Sequence, residues 1–171
     1  MVLPNPEETP ELAVRYTEPE DAPHLQSWLM QPSTQRWFAM SDEVEVNDSV
    51  QRWISFCRYK CSLTALCNGT PCGIATLYLQ PYKRLAHQCE FGIVVGKEFR
   101  GQKVGEFLLN SLMDLAKNTF DVELLHLAVY GDNPAIRLYR RMGFREFGRQ
   151  TRWLKNNNGS YSQRIFMERL L

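Results

Sequence analysis

The chain predicts an α/β fold of the α+β type, a central sheet of six to seven strands flanked by about four helices. Three observations carry this. Seven short apolar runs are bounded by turn residues, a strand pattern. Four other stretches repeat their apolar residues at helical spacing. The order matters too: strands follow one another through short turns in mid-chain, then strand, helix, strand and helix alternate to residue 143. At 171 residues, one domain over 12–171 behind a loose leader at 1–11 is the expected organisation.

Taken in order, residues 1–11 carry three prolines and little to bury. Leu12 to Tyr16 reads as a strand. Thr17 is placed to cap a helix from Pro19 to Leu29, with Leu25, Trp28 and Leu29 on one face. Residues 31–47 mix Pro, Ser, Asp and Glu with Trp37 and Phe38 and read as a loop or broken helix. Asp48 to Arg58 has Val50, Trp53, Ile54 and Cys57 at helical spacing. Residues 62–66, 72–80 and 87–95 read as successive antiparallel strands, joined by Asn68-Gly69 and Pro81-Tyr82-Lys83. The helix from Lys103 to Asn118 stripes Val104, Leu108, Leu112, Leu115 and Ala116; Glu106 and Lys117 suit the two ends of its dipole. Leu124 to Tyr130 is a strand. Pro134 opens the last helix as a first-turn proline and Gly143 closes it. Residues 144–154 and 162–170 form a closing hairpin around Asn156-Asn157-Asn158-Gly159.

Bulk properties narrow the function. A hydrophobic content of 44% supplies a core, and a net charge of +1 gives no basic field, so nucleic acid is not an expected partner. No apolar run is long enough to span a membrane, and Met1 to Leu12 lacks a signal-peptide pattern, so a cytoplasmic protein is expected. Cys57, Cys61, Cys67, Cys72 and Cys89, an odd number near His87, read as reduced thiols rather than a zinc site. No metal is expected. Asn68-Gly69-Thr70 and Asn158-Gly159-Ser160 match the glycosylation pattern but serve as turns in such a protein.

The chemistry concentrates between Glu90 and Phe144. An apolar run ends in Gly96-Lys97-Glu98-Phe99-Arg100-Gly101-Gln102-Lys103-Val104-Gly105, and a helix begins at once. A helix N-terminus with unpaired N–H groups just beyond a strand end is suited to a phosphate or pyrophosphate. The turn resembles the Arg/Gln-x-x-Gly-x-Gly/Ala signature of the GNAT superfamily of acyl-CoA-dependent N-acyltransferases. Residues 135–144 are similar to its Ala-Ile-x-Leu-Tyr-x-x-x-Gly-Phe motif throughout. Two departures stand out. Lys103 occupies a usual Gly position, and Asp132 occupies the usual Asn position, with Asn133 one residue later.

This resemblance implies a mixed, mostly antiparallel sheet that splays between two parallel strands, residues 90–95 and 124–130, with acetyl-CoA in the gap. It implies pantetheine on the exposed backbone of Ile93, Val94 and Val95. The pyrophosphate falls on Arg100, Gly101, Gln102, Val104, Gly105 and Glu106, and a further contact on Asn133. Lys103 either meets a phosphate or points to solvent. Tyr139 takes the family's general-acid position, since an expelled thiolate leaves more easily with a proton. Ala135, Tyr139 and Met142 share a helix face, so Tyr139 also reads as a core residue. Glu90 in Glu90-Phe91-Gly92 resembles the Glu-Ile-Gly of ribosomal-protein N-terminal acetyltransferases and is the candidate base. A strand-end structural carboxylate, a water chain, and Glu43 or Glu45 from the loop remain open alternatives. His126 reads as a core histidine.

The implied partners are acetyl-CoA and an amine acceptor, a small molecule or a protein N-terminus, in a monomer or homodimer. Trp28, Trp37, Phe38, Asp42, Glu43 and Glu45 lie where family members grip acceptors; the acidic residues either attract a cationic amine or form a solvated loop. The tail from Asn158 to Ser162 is similar to the branch holding spermidine and protein N-terminal acetyltransferases. The expected activity is N-acetyl transfer by direct attack, with a non-catalytic acyl-CoA-binding or regulatory module as the alternative. An RNA-associated module would rest only on Arg137, Arg140, Arg141, Arg145, Arg149 and Arg152, and the net charge argues against it.

Overall fold

A computed structural model describes residues 9–171; most of the predicted leader lies outside the described residues. Seven strands form one sheet: β1 (Leu12–Tyr16), β2 (Ser62–Cys67), β3 (Thr70–Tyr78), β4 (Gln88–Val95), β5 (Leu124–Tyr130), β6 (Arg145–Lys155) and β7 (Tyr161–Leu170). Their spatial order is β1-β2-β3-β4-β5-β7-β6. Every pair is antiparallel except β4–β5, which is parallel because helix α4 (Val104–Phe120) carries the chain back across the sheet. The expected mixed, mostly antiparallel architecture is what the chain adopts.

Helices cover both faces. α4 packs Leu108, Leu109 and Leu112, all fully buried, against β2, β3 and β4; each such leucine contributes about 1.5–3 kcal/mol of burial. Helix α5 (Ile136–Arg141) adds Ile136 and Tyr139 to the same core as Phe91, Leu125 and Phe144. On the opposite face, α1 (Ala22–Met30) and α3 (Glu43–Ser55) bury Leu25, Leu29, Val50 and Trp53 against Ile74 and Val94. The two-residue alternation of β4 serves both layers: Phe91, Ile93 and Val95 face α4, while Glu90, Gly92 and Val94 face the other way.

Three local expectations are corrected. α3 starts at Glu43, not Asp48, and gives way to a 3-10 turn at Phe56–Tyr59. Asp42 caps it by accepting from Glu45 N–H at 2.9 Å. The residues between it and α1 hold a short helix α2 (Pro32–Gln35). Thr17 caps nothing: it is buried and accepts from the Ser62 hydroxyl at 2.9 Å, and the chain enters α1 through a 3-10 turn at Pro19–Asp21. Pro134 lies two residues ahead of α5. No helix among the described residues is long and apolar enough to cross a membrane.

Candidate active site

β4 and β5 pair over only three positions, Gln88 with Leu124, Cys89 with Leu125, and Glu90 with His126. Beyond them the strands diverge, each held on its far side: β4 by β3 as far as Val95, β5 by β7 as far as Tyr130. Gly96 N–H donates to Cys72 O on β3 at 2.9 Å. By alternation, the main-chain groups of Phe91, Ile93 and Val95 turn away from β3, into the gap. Ile93 therefore offers its backbone to the cleft, and Val95 its N–H, the Val95 carbonyl being taken by Arg100. Val94 differs from its neighbours: its main chain faces β3 and its side chain is buried against α1 and α3.

A cavity of about 520 Å³ fills this gap, a size ordinary for ligand pockets. Among its walls are Ile93, Val94 and Val95 on one side and Leu127, Ala128 and Val129 on the other. Its mouth is the turn into α4, with Arg100, Gly101, Lys103, Val104, Gly105 and Glu106. Gly101 has φ 76° and Lys103 φ 63°, and Lys103 precedes the first turn of α4, whose amides have no intrahelical acceptor. A Cβ on Gly105 would stand 3.2 Å from Leu138 Cδ2, so this position lets α4 and α5 approach closely. Arg100 points away from the amides: Nε donates to Val95 O at 3.2 Å and the guanidinium reaches Thr34 of α2. Gln102 does not line this cavity and donates to Glu98 O. Glu106 pairs with Arg141 at 3.1 Å.

Tyr139 and Asn133 also line the cavity. Asn133 Oδ1 accepts from Ala135 N–H at 2.9 Å, shaping the turn into α5. Tyr139 packs edge-on to Phe91 and Phe144 with ring centroids 6.2 Å away from each. Burial pushes its hydroxyl up to about 12, so it stays protonated in neutral water.

A second cavity, of about 330 Å³, adjoins the first along Leu127 and Ala128. Glu90, His126, Phe147, Arg164 and Phe166 complete it. Glu90 Oε1 lies 3.5 Å from Arg164 Nη2. His126 Nε2 meets Gln88 Oε1 at 2.6 Å, and burial lowers its pKa despite the nearby Glu90. The structure thus sets Tyr139 and Glu90 in adjoining cavities.

Of the expected acceptor residues, Trp37 and Phe38 line the first cavity. Trp28 is in the core, with Nε1 2.7 Å from where a Cβ on Gly96 would stand. Glu43 and Glu45 occupy the first turn of α3 rather than a loop. Glu45 accepts from the Ser41 N–H and hydroxyl, and neither Glu43 nor Glu45 lines either of these two cavities. Cys61, Cys67, Cys72 and Cys89 are buried, and burial raises the Cys61, Cys72 and Cys89 thiols to about 11, 11 and 12. Among the described residues no group of three or more metal-ligating side chains converges. Of the surface arginines, Arg149 pairs with Glu146 and Arg152 lies over Tyr161.

Arg164 and Arg141 are the site neighbours that sequence reasoning missed. The alternation of β7 puts Arg164 on the face of Phe166; the register sets it opposite Tyr130, four residues along β5 from His126, the partner of Glu90, and the long side chain brings its guanidinium to Glu90.

The model of the acetyltransferase (GNAT) family matches residues 12–144. A GNAT-family acetyltransferase from Streptococcus pneumoniae is 26% identical over 94% of this chain and 100% of its own, with a TM-score of 0.75. Ribosomal-protein-alanine N-acetyltransferase from Brucella melitensis is 24% identical over 93% and 99%, at 0.76. The yncA protein of Salmonella typhimurium, solved with its cofactor acetyl-CoA, is 18% identical over 94% of each chain, at 0.74. No curated protein sequence matches this one.

Proposed function

This chain belongs to the GNAT acetyltransferase family, which uses acetyl-CoA, and on that premise we propose that it transfers acetyl groups to a primary amine by direct attack in a ternary complex. The observation that carries the reading is the three-position contact of β4 with β5, which leaves a cleft with a free main-chain edge on one wall. The residues fit the donor. Unpaired main-chain groups of Ile93 suit an amide-bearing arm. The amides opening α4 suit a pyrophosphate.

When bound, acetyl-CoA supplies an activated thioester: the amine nitrogen gains the acetyl C–N bond, the C–S bond breaks, and the sulfur leaves as a thiol. The protein's share is proton handling. An alkylammonium with a pKa of about 10.4 must first be deprotonated, which costs on the order of 4 kcal/mol at neutral pH. Glu90, open to the second cavity, is the proposed acceptor of that proton, directly or through water. Tyr139, protonated and facing the first cavity, is the proposed donor to the departing sulfur. The two cavities share Leu127 and Ala128 as walls, which supports one reaction centre between Tyr139 and Glu90.

A second reading, a non-catalytic acyl-CoA-binding module, draws on Lys103, a side-chain-bearing residue at φ 63° in the turn that opens α4. Calorimetric titration with acetyl-CoA, followed by acetyl transfer to a panel of amines, separates the two. Micromolar one-site binding with turnover is expected. Binding without turnover would favour the module, and no binding at millimolar acetyl-CoA would overturn both.

A further inference from the structure

The second cavity contains a charge pattern with a definite complement. Arg164 is half-buried, its side chain 28% exposed, and its guanidinium lies over two aromatic rings, 4.9 Å from the Trp153 centroid and 5.1 Å from Phe166. Such stacking fixes the plane of the fork and leaves its edge for hydrogen bonds. That edge is unused. Among the described residues the Arg164 guanidinium donates no hydrogen bond, and its one ionic neighbour is Glu90, at 3.5 Å. Tyr130, its register partner on β5, keeps a buried hydroxyl with no partner. The Arg164 fork is therefore a set of donors without a protein acceptor on the wall of this cavity.

Glu90 and Arg164 thus present a negative and a positive group side by side on the wall of a cavity of about 330 Å³. The mirror image of that pair is a molecule whose ammonium and carboxylate are one carbon apart. We propose that the acceptor is a free α-amino acid, its amine at Glu90 and its carboxylate on the unfilled fork of Arg164. The inference rests on acetyl transfer occurring at this site, as proposed above. A planar guanidinium takes a carboxylate through two parallel N–H bonds, a geometry that a lysine in its place could not supply. The Glu90–Arg164 contact is too long to be a hydrogen bond of any strength, so parting the two groups costs little. Phe147, Phe166 and Ala128 give the remainder of the cavity an apolar wall, which favours an apolar or aromatic amino-acid side chain.

A protein N-terminus and a simple amine lack that adjacent carboxylate, and this difference provides the test. The full chain is assayed with acetyl-CoA against the standard α-amino acids, their C-terminal amides and their decarboxylated amines, with acetylated product read by mass spectrometry. The preferred amino acid is expected to exceed its own amide and its decarboxylated amine by about tenfold or more in kcat/KM. In Arg164→Gln the acid-to-amide ratio collapses towards one, with the loss in KM rather than kcat; Arg164→Lys recovers part of it. Should Arg164→Gln melt early, the wild-type and Arg164→Lys ratios decide. Amides or simple amines used as well as acids would overturn the amino-acid inference while leaving acetyl transfer standing. So would acetylation of amines with no amino acid accepted. Failure to bind acetyl-CoA would instead remove the reading on which the inference rests.

Discussion

Tyr139 combines two demands that ordinarily conflict. Its ring is 8% exposed and wedged between Phe91 and Phe144, yet its hydroxyl has no protein partner among the described residues and the side chain lines the first cavity. A phenylalanine would keep the packing and lose the proton. Tyr139→Phe is therefore expected to melt within a few degrees of wild type. Its turnover should fall about 10²-fold or more, the scale of general-acid catalysis, with acetyl-CoA affinity little changed. Turnover equal to wild type would remove Tyr139 from the proton path. Because burial raises this hydroxyl to about 12, its acid form persists across the neutral and mildly alkaline range, and any activity loss that it governs belongs near pH 12. Its place on the wall was legible in the Leu138-Tyr139 motif. Arg164 was not, because a lone arginine in a strand gains meaning only from the chain that pairs beside it.

At the scale of elements, the turn into α4 is the most informative. Lys103 sits at φ 63° and ψ 9°, a left-handed conformation that a Cβ disfavours by about 1–2 kcal/mol. Lys103→Gly is expected to stabilise the fold by about 1 kcal/mol, after allowing for the extra freedom of glycine in the unfolded chain. Urea unfolding reads this directly, and a destabilised variant would mean that the lysine side chain makes a contact worth more than the strain. The same element shows what periodicity reveals: the α4 stripe from Val104 to Ala116 is long and regular, and its predicted and observed spans nearly coincide. α3 shows the opposite. The run Glu43-Val44-Glu45-Val46 has no obvious stripe, yet Asp42 with Glu45 three residues on is a helix-start signature, and the acidic first turn suits the dipole. Reading those carboxylates as a solvated loop hid the cap. The parallel pairing of β4 and β5 was implied by the GNAT resemblance, whereas the depth of their contact depends on α4 and α5 packing and could not be read locally.

Across the whole molecule, the two faces of the sheet are tied together by different forces. The α4 face is almost wholly apolar, but the other face includes a buried polar network. Asp21, 2% exposed, takes both terminal nitrogens of Arg15 at 2.7 and 2.8 Å and the Thr64 hydroxyl at 2.8 Å; Thr17, Ser62 and Thr76 extend the chain of hydroxyls. Burial alone would raise the Asp21 carboxyl, but Arg15, the Glu18 N–H and Thr64 outweigh it and hold it below its ordinary value of 3.8. A depressed folded-state pKa contributes stability above the unfolded value and loses it as pH falls through the folded one. Asp21→Asn is expected to cost about 1–3 kcal/mol at neutral pH, and less as pH drops below 3.8. Melting temperatures of both proteins across that range test this; a penalty independent of pH would place the effect in packing instead.

The divergence of β4 from β5 has a kinetic corollary. Strand β4 is pinned to β3 along one flank while its other flank opens into the cleft, so successive amide hydrogens alternate between a sheet partner and the cleft. Deuterium exchange should therefore be slow at Gly92 and Val94 and fast at Ile93 and Val95 in the free protein. A cofactor arm laid along the cleft would slow the fast positions and leave the slow ones as they were. The change from an every-other-residue rhythm to uniform protection would signal occupancy without any assay of turnover, and its survival at saturating acetyl-CoA would show that the arm lies elsewhere.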